Sequence, residues 1–223
     1  LSETARVTGA VNTVYPRGEK VLGDNTDVIG IVNALRHAGL KPNPERDEPA
    51  VIGGGATAIS ALTALHKLGY RRVSVYARSL HKLGSVQKAA DRLGVQLSTV
   101  ALAEFPAEQK ARRHNPVIST LPARAADEWA PQLDDPAGAS ATHRPVLLDV
   151  AYNPWPSVLA SAWEANGGTV VSGLEMLLYQ AVEQVLLFTD CTLQPAELLG
   201  LINAMCEAVG LPSREHLPAP LAE

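Results

Sequence analysis

Four short stretches carry side chains able to do chemistry. In the first, AVIGGGATAISAL, three apolar residues run into Gly53-x-Gly55-x-x-Ala58, and a helix-spaced run follows at once. A dinucleotide fingerprint needs that order of strand, glycine turn and helix. The first glycine allows the tight turn, the second lets backbone approach a pyrophosphate, and a small third residue lets helix and strand pack closely. The helix start adds unpaired N–H groups and a partial positive charge for the anion. Gly53, Gly54, Gly55, Ala56, Thr57 and Ala58 are therefore cofactor-binding candidates, against the plainer alternative that a glycine triplet marks only a turn. The second stretch, Tyr76-Ala77-Arg78-Ser79, ends the next strand without the carboxylate that holds the ribose hydroxyl in NAD sites. Arg78 offers a planar fork of donors to a 2′-phosphate, Ser79 adds a hydroxyl, and Lys82 follows one helical turn on. Arginine in place of an acid favours NADP. The third, Asp27, stands where a helix begins, a place the helix dipole favours for any carboxylate. In the fourth, Gly173, Met176 and Gln180 fall on one helical face at steps of three and four, although Met176 would serve equally as core.

The elements that must position these residues alternate. A strand is expected over residues 10–15, a turn at Arg17 and Gly18, and a helix over 26–37 with Val28, Ile29, Val32 and Leu35 on its apolar side. The polar, proline-bearing run KPNPERDEP, residues 41–49, is the clearest boundary. Short apolar strands follow over 50–52, 72–76, 95–100, 116–119, 146–150 and 169–171, with helices up to Leu68 and over 80–93. Strands of this kind between helices imply an α/β fold: a Rossmann-like, doubly wound parallel sheet covered on both faces. Residues 171–188 read as an amphipathic helix, because Glu175, Gln180, Glu183 and Gln184 interrupt the apolar run. A last helix starts at Pro195 and ends near Gly210; its stripe of Leu198, Leu201, Ile202, Met205 and Cys206 needs something to pack against. The stretch from Pro212 onward reads as a loose tail.

Composition narrows the classes further. Of 223 residues 46% are hydrophobic and 19% charged, with a formal charge of −4, which describes a soluble globular chain rather than a disordered one. Mild acidity argues against nucleic-acid binding, which needs a basic surface. No segment reads as a membrane span, and the start LSETARVTGAV lacks the basic-then-apolar order of a signal peptide. The chain opens on Leu1 rather than Met, so an N-terminal piece is expected to be missing. Cys191 and Cys206 are expected as buried or near-buried helix residues, and the six histidines (37, 66, 81, 114, 143, 216) as surface or structural. No Cys/His cluster has metal-ligand spacing, so no metal is expected; two cysteines without a framework fit a reducing, cytoplasmic setting.

Five strings stand in order along the chain: GAVNT (9–13), GDNTD (23–27), the glycine loop, YNP (152–154) and SGLEMLLYQA (172–181). Together they resemble the NADP-dependent shikimate dehydrogenase family over roughly residues 5–199, and GDNTD and G-x-x-M-L-x-x-Q are the specific parts. The resemblance implies an N-terminal α/β domain for shikimate and a Rossmann-like domain for NADP, with a last helix that returns to the first. Residues 1–26 would then be the remnant of the substrate domain, 27–189 the connecting helix and cofactor domain, and 190–223 the returning helix. It implies that Asn12 hydrogen-bonds substrate hydroxyls and that Gln180 binds substrate. Asp27 would be the catalytic aspartate, paired with a lysine to deprotonate the hydroxyl being oxidised. Tyr152 would lie near both ligands, Gly173 and Met176 would line the nicotinamide, and Thr120 in VISTLPA would meet the cofactor.

Departures from the family pattern carry their own expectations. GGGAT replaces the usual GAGGA, and Ala77-Arg78-Ser79 replaces N-R-T, which predicts weaker NADP selectivity. The family's lysine and its carboxylate-binding hydroxyls lie upstream of GAVNT, and the chain as given has no counterpart; Lys20 lies in a turn and is not a substitute. The implied activity is interconversion of shikimate and 3-dehydroshikimate in aromatic amino-acid biosynthesis, with a small-molecule substrate, no nucleic-acid or membrane partner, and a monomer or homodimer. The alternatives are an NAD-dependent quinate/shikimate dehydrogenase and, from another class, a non-catalytic dinucleotide-binding module.

Overall fold

The Ser2 hydroxyl caps α1 (Glu3–Thr8) by accepting the Ala5 N–H at 3.1 Å. The structure, a computed structural model, describes residues 1–133 and 144–218. After α1 the chain forms an antiparallel hairpin of β1 (Thr13–Arg17) and β2 (Lys20–Asp24), with Thr13 opposite Asp24. The expected single strand over 10–15 thus starts later and gains a partner. KVLGD has too short an alternation to announce a strand, and pairing with β1 supplies what its pattern lacks. The helix α2 (Asp27–His37) then buries Val28, Ile31, Val32, Ala34 and Leu35.

Beyond the linker the elements are β3 (Ala50–Ile52), α3 (Ala56–Lys67), β4 (Arg72–Ala77), α4 (Gly84–Leu93), β5 (Gln96–Ala101), α5 (Phe105–Arg112), β6 (Val117–Ser119), β7 (Val146–Asp149), α6 (Val158–Ala165), β8 (Thr169–Ser172), α7 (Gly173–Thr189) and α8 (Pro195–Val209). The sheet order is β5-β4-β3-β6-β7-β8 and every pairing is parallel. The chain winds outward from β3 to β5, returns to β6 beside β3, and winds outward the other way. The two halves therefore meet at a switch point between β3 and β6, where the carboxyl ends of the strands leave a crevice.

Both faces of the sheet are covered, as alternation along the strands requires. Val51, Val75, Ile118, Leu148 and Val171 face a core shared with α2, α3, α4, α7 and α8. Ala50, Ile52, Tyr76, Val117 and Leu147 face a second core with Phe105, Leu159 and Trp163. In that second core the His114 Nδ1–H donates to the Glu48 carbonyl at 2.9 Å, which leaves Nε2 to accept the Tyr76 hydroxyl at 2.7 Å. His114 is thus a satisfied core group, kept neutral by burial, which pushes its pKa down.

Three further expectations change. Cys206 is buried in α8, but Cys191 is exposed between α7 and α8, because the chain leaves the helix at Asp190. The expected helix over 80–93 is a 3₁₀ turn at Leu80–Lys82 followed by α4. The segment after Pro212 is not loose as far as residue 218: Arg214 is buried against Glu175, and Leu211 and Leu217 pack on the first core. The stripe on α8 finds its cover there too, with Ile202 and Cys206 buried and α8 lying on α7. The expectations for His143 and for residues 219–223 lie outside the described residues. Among the described residues no helix is long and apolar enough to cross a membrane.

Candidate active site

The first turn of α2 is where the sequence-predicted polar residues meet. The Asn12 amide nitrogen donates to Asp27 Oδ1 at 2.8 Å, and Asn12 Oδ1 accepts the Thr26 N–H at 2.9 Å and the Thr13 hydroxyl at 2.8 Å. The Thr26 hydroxyl donates to Gln180 Oε1 of α7 at 3.0 Å. Asn12, Asp27 and Gln180 therefore join one network, although 153 residues separate Asp27 from Gln180 in the numbering. Beneath it lies Asn25, buried, whose Oδ1 accepts the Asp27 N–H at 3.1 Å and whose amide donates to Thr8 and Ser60. Burial pushes the Asp27 carboxyl above its ordinary value, and the Asn12 hydrogen bond pulls it part of the way back.

What lets α2 reach α7 is Gly30, one helical turn after Asp27. A Cβ at Gly30 would stand 2.7 Å from the Met176 carbonyl oxygen and 2.9 Å from Gln180 Cβ. The sequence does carry a signal for this residue: glycine inside a helix costs about 1 kcal/mol relative to alanine and calls for a packing reason. Gly30→Val should therefore lose about 1–3 kcal/mol of stability, or more, by urea denaturation, since backbone must move to admit the side chain. Gly200→Ala in α8, with nothing within 4 Å of the added methyl, should be neutral or slightly stabilising. Equal losses from both would mean that the close approach of α2 and α7 is not what Gly30 provides.

The remaining predicted residues line the carboxyl edge of the parallel sheet. Gly53 has φ +119°, a conformation that side chains rarely adopt, and a Cβ there would collide with the Thr120 hydroxyl. Thr120 sits at the end of β6, its N–H and hydroxyl both donating to the Ile52 carbonyl at 2.7 and 2.9 Å. Thus the switch-point strands are locked together at the glycine loop. Gly54 lies under Leu83 and close to Ala77 at the end of β4, and exposed Arg78 and half-buried Ser79 come next. Gly55 precedes α3 with no side-chain cap, whereas Ser2, Ser157 and Ser172 cap α1, α6 and α7. Ala56 is exposed, Thr57 half-buried and Ala58 buried against the sheet. An uncapped first turn has free N–H groups for an anion, and the residues around it fit a dinucleotide pyrophosphate.

Gly173 begins α7 against the Val150 carbonyl, where any side chain would collide, and Met176 is buried between α7 and α2. Gln180 lies seven residues beyond Gly173, so about 10 Å of helix separates the sheet edge from the polar network. Tyr152 is 51% exposed on the loop after β7. That loop is tied at both ends to Asp149, which accepts the Ser157 hydroxyl at 2.7 Å and is pushed up by burial. The residues the sequence did not single out are Thr13, Thr26, Gly30, Leu83, Asp149 and Gln184. Thr13 and Thr26 had a signal, since each sits inside one of the quoted strings, and Gln184 had one as a polar break in an apolar run; Leu83 had none.

No family model matches the chain. It is 34% identical over 191 residues to the pentafunctional AROM polypeptide of Saccharomyces cerevisiae, matching 82% of this chain but spanning only 12% of that polypeptide's length. Over 203 residues it is 29% identical to the shikimate dehydrogenase (NADP(+)) of Maridesulfovibrio salexigens, covering 91% of this chain and 69% of that one. The crystal structure of Mycobacterium tuberculosis shikimate dehydrogenase superposes with a TM-score of 0.72 at 32% identity, covering 91% of this chain and 70% of the other.

Proposed function

Because this chain belongs to the shikimate dehydrogenase family, we propose that it carries out the NADP-dependent interconversion of shikimate and 3-dehydroshikimate. The observation that carries this reading is the Asn12–Asp27–Thr26–Gln180 network, which gathers polar groups from the approach to β1, from α2 and from α7 around one carboxylate. Bound NADP supplies the hydride acceptor, or the donor in reverse. Gly53, Gly54, Gly55 and the first turn of α3 through Ala56, Thr57 and Ala58 hold its pyrophosphate, and Arg78 and Ser79 take the 2′-phosphate. Thr120, Tyr152, Gly173 and Met176 flank the rest of the cofactor, with Tyr152 reaching the substrate side as well. The amide groups of Asn12 and Gln180 bind the substrate hydroxyls, and Asp27 takes the proton of the hydroxyl being oxidised. Its raised pKa brings it closer to the range where a carboxyl both accepts and returns a proton. Residues 1–26 read as the end of a substrate-binding domain, a division supported by their hairpin forming a sheet of its own.

The test is shikimate-dependent reduction of NADP⁺ by the natural full-length protein, with NAD⁺ and quinate in parallel. Turnover should favour shikimate and NADP⁺. Arg78→Ser should lower kcat/KM for NADP⁺ roughly 10- to 150-fold, the worth of a charge-assisted hydrogen bond, and leave the value for NAD⁺ unchanged. Equal losses with both cofactors would remove the 2′-phosphate role from Arg78, and absent turnover with any pairing would overturn the enzyme reading.

A further inference from the structure

The direction of each proton in the network around Asn12 can be worked out from its donors and acceptors. Thr13 is 1% exposed, and its hydroxyl has three neighbours: the Gln184 amide nitrogen, which donates to it at 3.1 Å, Asn12 Oδ1 at 2.8 Å, and the Thr26 hydroxyl at 3.2 Å. One hydroxyl has one proton. With Gln184 donating to a Thr13 lone pair, the Thr13 proton goes to the nearer acceptor, Asn12 Oδ1 at 2.8 Å rather than the Thr26 oxygen at 3.2 Å, and the Thr26 proton goes to Gln180 Oε1 at 3.0 Å rather than Asn12 Oδ1 at 3.2 Å. Asn12 Oδ1 then accepts from Thr13 and from the Thr26 N–H, so its NH₂ must face Asp27. A flipped amide would set donor against donor at Thr26 and oxygen against oxygen at Asp27.

We infer that Thr13, itself out of reach of the substrate, is a positioning residue: its hydroxyl, aimed by Gln184, holds the Asn12 amide with its donor on Asp27. The chain Gln184 N–H to Thr13 O–H to Asn12 ends on a carboxylate, and each donor polarises the next, favouring the charged form of Asp27. This rests on the proposed roles of Asn12 and Asp27. Asp24 of β2, Lys67 of α3 and Glu183 of α7 line the hollow at this end of α2; the other charged groups on the packed elements are Arg17 of β1, Lys20 of β2, Asp149 of β7 and Glu175 of α7, the last paired with Arg214 toward the His37 end, and the variants below leave all of them in place.

The experiment is a ¹³C NMR titration of the Asp27 carboxyl in the natural full-length protein. In Thr13→Val the midpoint should rise by about half a unit to one unit, the equivalent of one neutral hydrogen bond, while Thr13→Ser should titrate as the unaltered protein does. The acid limb of the pH–rate profile should move by the same amount. A stability loss in Thr13→Val with an unmoved midpoint would overturn the inference, because a merely structural threonine does not touch the titration. Should Thr13→Val fail to fold, Gln184→Met carries the test: a raised midpoint supports the chain, an unchanged one refutes it. Failure of the functional reading is seen separately, as full turnover in Asp27→Asn.

Discussion

Asp27→Asn is expected to lower kcat by about 10²- to 10⁴-fold in the natural full-length protein, with the KM for shikimate little changed. Asparagine keeps an oxygen for the Asn12 amide and keeps the shape of the helix start, so the network and the fold persist. What goes is the ability to take a proton. The pH dependence follows from the direction of the shift: burial raises the Asp27 pKa above 3.8, so activity should fall away as pH drops through that raised value. Stability runs the other way. Between 3.8 and the raised value the folded chain binds more protons than the unfolded one, so this carboxyl's contribution is most favourable in acid and is lost as pH rises through the folded pKa. At neutral pH the asparagine variant should therefore match or exceed the parent in urea denaturation, and the difference should close in acid. A variant with full kcat would remove Asp27 from the chemistry. A variant that is inactive because it is unfolded would remove the claim that the residue costs stability.

The largest stability effect should come from Arg214, far from the chemistry. Its guanidinium meets Glu175 at 2.5 Å with side-chain exposures of 5% and 16%, so the arginine is buried and the carboxylate mostly shielded from water. Asn203 of α8 brackets the arginine backbone, accepting its N–H at 2.6 Å and donating to its carbonyl at 3.1 Å. The pair thus straps the segment after α8 to the first turn of α7. Arg214→Met leaves Glu175 buried without its partner and should cost about 3–5 kcal/mol by urea denaturation. Replacing both partners, Glu175→Leu with Arg214→Leu, should recover most of that loss, because the penalty lies in the orphaned charge rather than in the missing attraction. A loss of about 1 kcal/mol or less in the single variant would mean that water reaches the pair, as at a surface bridge.

The proposed cofactor region was readable as a string because its signals are local. A strand, a glycine turn and a helix follow one another within a few residues, and each is set by its own neighbours: the apolar run, the absence of side chains, the helical spacing. Arg78 was readable for the same reason, as the end of the next strand. Elements with weak local patterns were not. The strand β2 is half exposed, and α5 and α6 are eight residues each, one polar and opened by Pro106, the other behind the proline-rich YNPWPS. Such segments take their structure from what they pack on.

The proposed substrate site is different. That Asn12, Asp27 and Gln180 belong together came from the likeness of whole strings to a family, since nothing in their spacing brings three distant residues to one place. Only the tertiary structure brings them together, through Gly30 and the close crossing of α2 and α7 that a missing side chain allows. The same holds for Thr13 and Gln184, whose importance lies in the direction of a hydroxyl proton, and for Arg214, which looks like solvated tail until a carboxylate 39 residues away proves to be its partner. The sequence by itself determined the glycine loop and the strands and helices with strong local patterns, because backbone preference and hydrophobic period act over short distances. Which polar groups face one another was decided by packing, because hydrogen bonds and ion pairs act through space and take no account of separation along the chain.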